Sequence, residues 1–391
     1  MKTRFAVFYF LLFFPIGVSA PYLMLFFDRK GFTDPQLGTL AAVAPLMNMA
    51  TPMIWGHLAD RFGDRRSTLG VLLVASALVF PWLMLAQDFG TALSLTMVFS
   101  AFAFAPVPIA DAITFEYLPR AGGDYGRLRL WGSVGFIVPL IALGLVLQRS
   151  AGETAASLHV IFYGYTVSRL LSACWVLALP PSRGEGRGRL DWRGAGVFAS
   201  PRFAALAATG VLAVVAMSSY YVFFTIYLDE LGIADNAKGY FWAVAVAAET
   251  GMMLFVGGLI GRIGLKWTLS VSLLGTVVRL FGLSLPLTTP LLVALQCLHA
   301  LTFTAFTVSS ITLVSRLTPP RLRASGQTMW AALTAGVGAA IGAKLAGLAA
   351  DTVGLPGMFR VFSVVAAGGL AVAVLLVREP PPEASPRAED A

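Results

Sequence analysis

Six charged side chains interrupt otherwise apolar stretches of this sequence: Asp111, Arg129, Arg169, Glu249, Arg279 and Lys344, with His299 as a titratable neighbour. A carboxylate beside a guanidinium can bind an ionised or hydroxylated solute. Here Arg129 suits a carboxylate bidentately and Asp111 suits hydroxyls. A carboxylate beside an arginine and a histidine can take up a proton in one setting and release it in another. If the stretches cross lipid, each charge costs roughly 2.5–3.5 kcal/mol at a helix centre, so each needs a reason to be there. The spacing predicts which of them share a depth, because residues equidistant from the turn of an antiparallel hairpin lie level. Asp111 and Arg129 centre on residue 120, Glu249 and Arg279 on 264, and Arg279 and His299 on 289. Two polar clusters are therefore expected, one in each half of the chain: Asp111 with Arg129 as the solute-binding pair, and Glu249, Arg279 and His299 as the proton-coupling group. Buried structural pairs are the competing reading of both clusters. Arg169 and Lys344 lack matched partners, and Lys344 is expected to snorkel toward Asp351.

The elements that must hold these residues are membrane helices. Of 391 residues, 57% are hydrophobic and 12% charged, about half the charged fraction of a soluble domain. Apolar runs near the length of a membrane span recur throughout. Their punctuation predicts an all-α membrane protein of twelve transmembrane helices in two pseudo-symmetric six-helix bundles. These fall near residues 5–27, 36–58, 67–86, 91–117, 126–148, 157–179, 203–228, 237–260, 267–286, 289–316, 322–349 and 357–377. The first run is read as a helix rather than a cleaved leader. The halves then cover residues 1–179 and 203–378. The Gly-, Pro- and Arg-rich stretch at 180–202 reads as a cytoplasmic linker, and 379–391 as a disordered tail. With the N-terminus inside, nearly all Lys and Arg of the loops fall on the cytoplasmic side. Only Arg29, Lys30, Arg149 and Lys238 fall outside, so both termini are expected in the cytoplasm. The net charge of +8 then reflects this bias and implies no nucleic-acid partner. Trp82, Trp131, Trp175, Trp242 and Trp330 are expected at the lipid face or interface. The small residues of 335–350 predict a close-packing helix. Cys174 and Cys297 lie apart with no ligand spacing, and no phosphate loop, metal motif or nucleophile triad is present, so neither an enzyme nor a cofactor is expected.

Between the second and third runs lies "GHLADRFGDRR", Gly56 to Arg66. A partial copy, "GGLIGRIGLK", begins 201 residues later at Gly257. A repeated half is the logic of secondary transporters. The first copy resembles the loop motif of the major facilitator superfamily, filled here by Gly56, Leu58, Asp60, Arg61, Gly63, Arg65 and Arg66. The resemblance implies a gating loop, with Asp60 latching the outward-facing state and Gly56 permitting close helix approach. The second copy has Gly261 in place of Asp60. More narrowly, "DYGRLRLWGSVGF" resembles the branch that holds lactose permease, phenylpropionate permeases and nucleoside–proton symporters. That likeness places Asp111 and Arg129 at substrate-binding positions and Arg279 and His299 at coupling positions. It departs where the branch's sugar transporter has a proton-carrying carboxylate, which is Thr302 here, and Glu249 matches an acidic residue only about one turn off.

These readings converge on a monomeric, proton-coupled symporter of the cytoplasmic (inner) membrane. It moves a small organic solute such as an aromatic acid, nucleoside or sugar by alternating access, with protons and the lipid bilayer as its other partners. A proton-driven drug or metabolite exporter is the alternative, weakened because Pro139 lacks the preceding Gly of exporter motifs. A membrane enzyme would need a reactive constellation that is missing. A sensor would usually carry a soluble output domain, and the longest polar stretch is too short for one.

Overall fold

The computed structural model describes residues 2–121, 125–148, 154–182 and 195–379. Most of the linker and all but the first residue of the tail lie outside the described residues. Within them every regular element is helical. In chain order these are α1 (Lys2–Ser19), α2 (Leu23–Arg29), α3 (Asp34–Phe62), α4 (Arg65–Val79), α5 (Phe89–Ala103), α6 (Pro106–Ala121), α7 (Tyr125–Leu147), α8 (His159–Val176), α9 (Pro201–Glu230), α10 (Asp235–Met252), α11 (Val256–Leu283), α12 (Thr289–Cys297), α13 (Phe306–Leu317), α14 (Arg323–Ala331) and α15 (Ala339–Leu376). Nine helical stretches among the described residues are long and apolar enough to cross a membrane. Two further helices of 18 residues, α8 and α10, carry polar charges: Arg169 in the first, Asp235, Lys238 and Glu249 in the second. The last stretch, Pro320–Leu376, is 57 residues long and breaks at Gly354, whose φ of 70° and ψ of 169° are not helical.

Several runs that read as single helices are broken. The first splits into α1 and α2 around Pro21, and the fourth into α5 and α6 ahead of Pro106. Proline cannot donate to the preceding turn and restrains the residue before it. The tenth run changes at Ala300–Ala305 into a π-helical turn, and a second π segment spans Ala332–Gly338.

The packing is that of a lipid-solvated bundle, with large apolar side chains such as Leu177, Leu254 and Leu375 facing outward. Helix α1 lies against α7 and α8, α9 and α11 lie against α15, and the two parts of the chain meet where α10 packs on α7 and α15 on α3. Close approach is built from glycine. A Cβ on Gly347 of α15 would stand 2.4 Å from the Asp34 carbonyl oxygen of α3. The tryptophans divide. Trp82 and Trp131 are exposed, but Trp242 and Trp330 are buried, contrary to expectation. Trp242 donates its indole N–H to Thr225 (2.9 Å) and packs on Tyr220, while Trp330 fills the space over Gly210.

Candidate functional site

The residues of the second cluster meet. Arg279, fully buried on α11, donates through Nη1 to His299 Nδ1 (2.8 Å) and Thr302 Oγ1 (3.2 Å), and through Nη2 to Gln296 Oε1 (2.8 Å). A guanidinium can only donate, so Nδ1 is the acceptor and the ring proton of His299 sits on Nε2. Nε2 faces Glu249 Oε2 at 3.4 Å. His299 therefore stands between Arg279 and Glu249, which make no direct pair; the level arrangement places all three together, but with the imidazole as the bridge. Tyr220 backs the group, donating to Gln296 Oε1 (2.8 Å) and lying 3.9 Å beneath the Arg279 guanidinium. Arg279 Nε and Gln296 Nε2 are buried with no hydrogen-bond partner among the described residues. Helix α12 ends just before His299, and the wide π turn that follows swings Thr302 under Arg279. Such turns are frequent where a helix must present an irregular surface at a functional site.

The first cluster is looser. Asp111 on α6 accepts from Tyr9 (2.6 Å), and Tyr9 also reaches Thr114 Oγ1 (3.1 Å). Arg129 on α7 lies 4.0 Å over the Phe13 ring. Among the described residues no ion pair joins Asp111 to Arg129, and Tyr125 interacts with both. Glu249 of the other half lies within electrostatic reach of Arg129. A cavity of about 720 Å³ is lined by residues of both halves that include Arg129, Arg169, Tyr221 and Ala343; of the two clusters, Arg129 alone lines it.

The two ends of the bundle differ. At one, the expected gating loop stays within the first half. Asp60 pairs with Arg65 (3.0 Å), Arg65 lies 3.9 Å from Glu116, and Arg66 donates to the Leu179 carbonyl (3.0 Å). Gly63 takes φ 71°, the left-handed end of α3 that glycine allows. Arg61 lies in the last turn of α3. Gly56, expected to bring helices together, faces open space in this conformation. Asp64 caps α4 by accepting from the N–H groups of Arg66 and Ser67, and these bonds, the Ser67 hydroxyl foremost, hold its carboxyl below the usual range. In the second copy Leu265 replaces Asp64. There Glu379, the first residue assigned to the tail, accepts from Leu265 N (3.1 Å) and Lys266 N (3.3 Å) beside Gly264 and pairs with Arg316 (3.3 Å).

The other end is closed across the halves. Arg29 of α2 grips Asp229 (2.6 Å) and Asp235 (2.7 Å), and Lys238 reaches both at 2.6 Å. Tyr22 adds a bond to the Asp235 carbonyl (3.2 Å). Lys344 does not snorkel toward Asp351; it crosses to Thr39 Oγ1 at 2.6 Å.

Sequence reasoning missed Tyr9, Tyr125, Tyr220 and Gln296, whose polar ends are common in apolar helices and carry no signal of their own. It also passed over the Arg29 network. There a signal existed: Asp229 and Asp235 centre on residue 232, a glycine at φ 71°.

An apolar helical bundle around a cavity, with charged side chains inside it and opposite ends built differently, defines a membrane transporter rather than an enzyme. The chain belongs to the MFS_1 like family, whose model matches residues 2–361. The maltose permease of Geobacillus stearothermophilus is 26% identical over 381 residues, covering 96% of this chain and 95% of the relative. The "Probable 3-phenylpropionic acid transporter" of Escherichia coli (strain K12) is 26% identical over 303 residues, covering 76% of this chain and 77% of its own. In fold, the crystal structure of a mutant of the nucleoside transporter NupG superposes with a TM-score of 0.88 at 17% identity, covering 96% of this chain and 100% of that one.

Proposed function

We propose that this multi-pass membrane transporter is a proton-coupled symporter that carries a small organic solute into the cell by alternating access. In this reading the nine stretches, α8, α10 and the break at Gly354 amount to twelve crossings in two six-helix halves, joined by the linker. The end that bears the gating loop faces the cytoplasm with both termini, and the Arg29 network faces outside. The conformation is then inward-facing, its outer end sealed and Asp60 released from the opposite half. The relatives are named for a sugar and an aromatic acid, and the similar fold for nucleosides, so the solute is a small organic molecule of such a kind.

The observation that carries the reading is the position of Glu249. It faces His299 of its own half at 3.4 Å and feels the charge of Arg129 of the other. Movement of one half against the other keeps the first neighbour and changes the second, which makes the proton affinity of the carboxyl depend on the state of the transporter. Glu249→Gln fixes the uncharged form. In reconstituted vesicles it is expected to abolish accumulation of solute against a gradient while preserving exchange between two pools. Uphill accumulation by Glu249→Gln would remove Glu249 from the coupling step and leave Asp111 as the carboxylate to test.

A further inference from the structure

Arg169 has no role in the mechanism above, yet it is among the most buried side chains of the protein, 1% exposed on α8, and it lines the cavity. Nε donates to Ser76 Oγ (3.1 Å), Nη1 to the Leu12 carbonyl (3.3 Å) and Nη2 to the Ala103 carbonyl (3.1 Å). All three acceptors are neutral. The last is available because α5 breaks at Phe104 and frees its terminal carbonyls. Three of five guanidinium N–H groups are thus used and two remain. Among the described residues no carboxylate lies within 4.0 Å of Arg169. A cation withdrawn from water with no counter-charge is costly, and more so inside a membrane.

Arg129 stands nearby. The two arginines bracket adjacent residues of α1, one bonded to the Leu12 carbonyl and the other stacked on Phe13. Arg129 has Glu249 within electrostatic reach and shares Tyr125 with Asp111. Arg169 has no acidic neighbour among the described residues, so this wall of the cavity carries positive charge in excess.

The remaining lining is mostly apolar, with Phe99, Phe104, Val107 and Met24 among it. Of its polar side chains, Ser19, Thr96 and Ser218 are spent on backbone carbonyls, which leaves Asn48, Ser100, Tyr165 and Tyr221 as the neutral polar groups. A sugar or nucleoside needs many directed polar partners, and a site that leaves hydroxyls unpaired rejects them. A carboxylate on an apolar body needs one cationic anchor and an apolar enclosure.

We propose that the cavity takes an amphipathic monoanion, a carboxylate on an apolar body, and that Arg169 together with Arg129 reads its charge. This rests on the cavity being the solute path of the transport reading. The test is binding to the purified full-length protein, followed by calorimetry. The probes are ω-phenyl carboxylates from benzoate to 4-phenylbutyrate, each paired with its primary amide, and the same compounds are used for uptake into vesicles. At least one carboxylate is expected to bind roughly tenfold or more tighter than its amide. Arg169→Lys and Arg129→Gln should each shrink that ratio several-fold, and Arg169→Gln, if it folds, should bring it near unity. An Arg169 that merely braced the helices would weaken acid and amide alike and leave the ratio unchanged, which overturns the proposal. So does tight binding of maltose or xanthosine with none of the carboxylates, or equal binding of acid and amide. Arginine-dependent carboxylate binding without any uptake keeps the charge assignment and overturns the transport reading instead.

Discussion

Removing Arg29 should open the end of the bundle that its network closes, the outer end in the proposed orientation. Its guanidinium makes four contacts of 2.6 to 3.3 Å with the carboxylates of Asp229 and Asp235. Arg29→Gln leaves two carboxylates to share Lys238. Taking one partner from a buried ion cluster costs about 3–5 kcal/mol. The Asp229 side chain is 22% exposed and can recover some hydration, so the low end, about 3 kcal/mol, is the appropriate figure. Arg29 belongs to the first half and its partners to the second, so the whole loss falls on the state in which this end is shut. That amounts to roughly a hundredfold shift in the equilibrium, enough to raise an outward-open population from about 1% to about half. Met24 lines the cavity and would report it as Met24→Cys, with the two exposed native cysteines, Cys174 and Cys297, replaced by serine. A membrane-impermeant maleimide applied from outside should label the Arg29→Gln protein many times faster than its parent, with Arg29→Lys between them. Equal labelling rates in two equally folded proteins would mean that the network does not hold the gate.

Three further outcomes follow from the same geometry. Asp60→Asn should slow outside labelling at Met24→Cys by about threefold to tenfold, because the latch that the proposed gating role gives Asp60 in the outward state is lost; an unchanged rate argues against a latch. Gly347→Ala places a methyl 2.4 Å from the Asp34 carbonyl, and should speed labelling at a cost of about 1–3 kcal/mol to the closed state; unaltered accessibility and melting would contradict the packing. Asp64→Ala should remove a helix cap worth about 1 kcal/mol. Since the native carboxyl is held below its usual range, the cap is fully present above the unfolded carboxylate pKa near 4 and fades as pH falls through the lower folded value. Thermal unfolding in detergent should show Asp64→Asn keeping much of the cap without that acid-side loss.

Depth was legible in the sequence and facing was not. Counting from the turns sets how far along a helix a residue lies, and it correctly put Glu249, Arg279 and His299 on one level. It says nothing of rotation about the helix axis, which decides that His299 intervenes between the other two and that Asp111 turns to Tyr9. The breaks at Pro21 and Pro106 were open to reading, because proline removes a donor wherever it stands. The π turn after His299 was not, because its cause is the fit of Thr302 and Thr304 to partners on α11 and α10, seen only once the helices pack. Arg29 was read as a stray outside charge, since its partners lie 200 and 206 residues away.

Glu379 gives the two loops different histories. The first half closes its own loop with Asp64, an immediate neighbour available as soon as that segment leaves the ribosome. The second borrows its carboxylate from 114 residues downstream, beyond α15. The helical turn that begins at Leu265, past the kink at Gly264 (φ 79°, ψ 168°) within α11, therefore waits, with its N–H groups unmet by Glu379, until α15 has been made and has taken its place. Placement of α15 and closure of the second loop become linked events, and a chain cut short before Glu379 would carry a finished first half and an open second one.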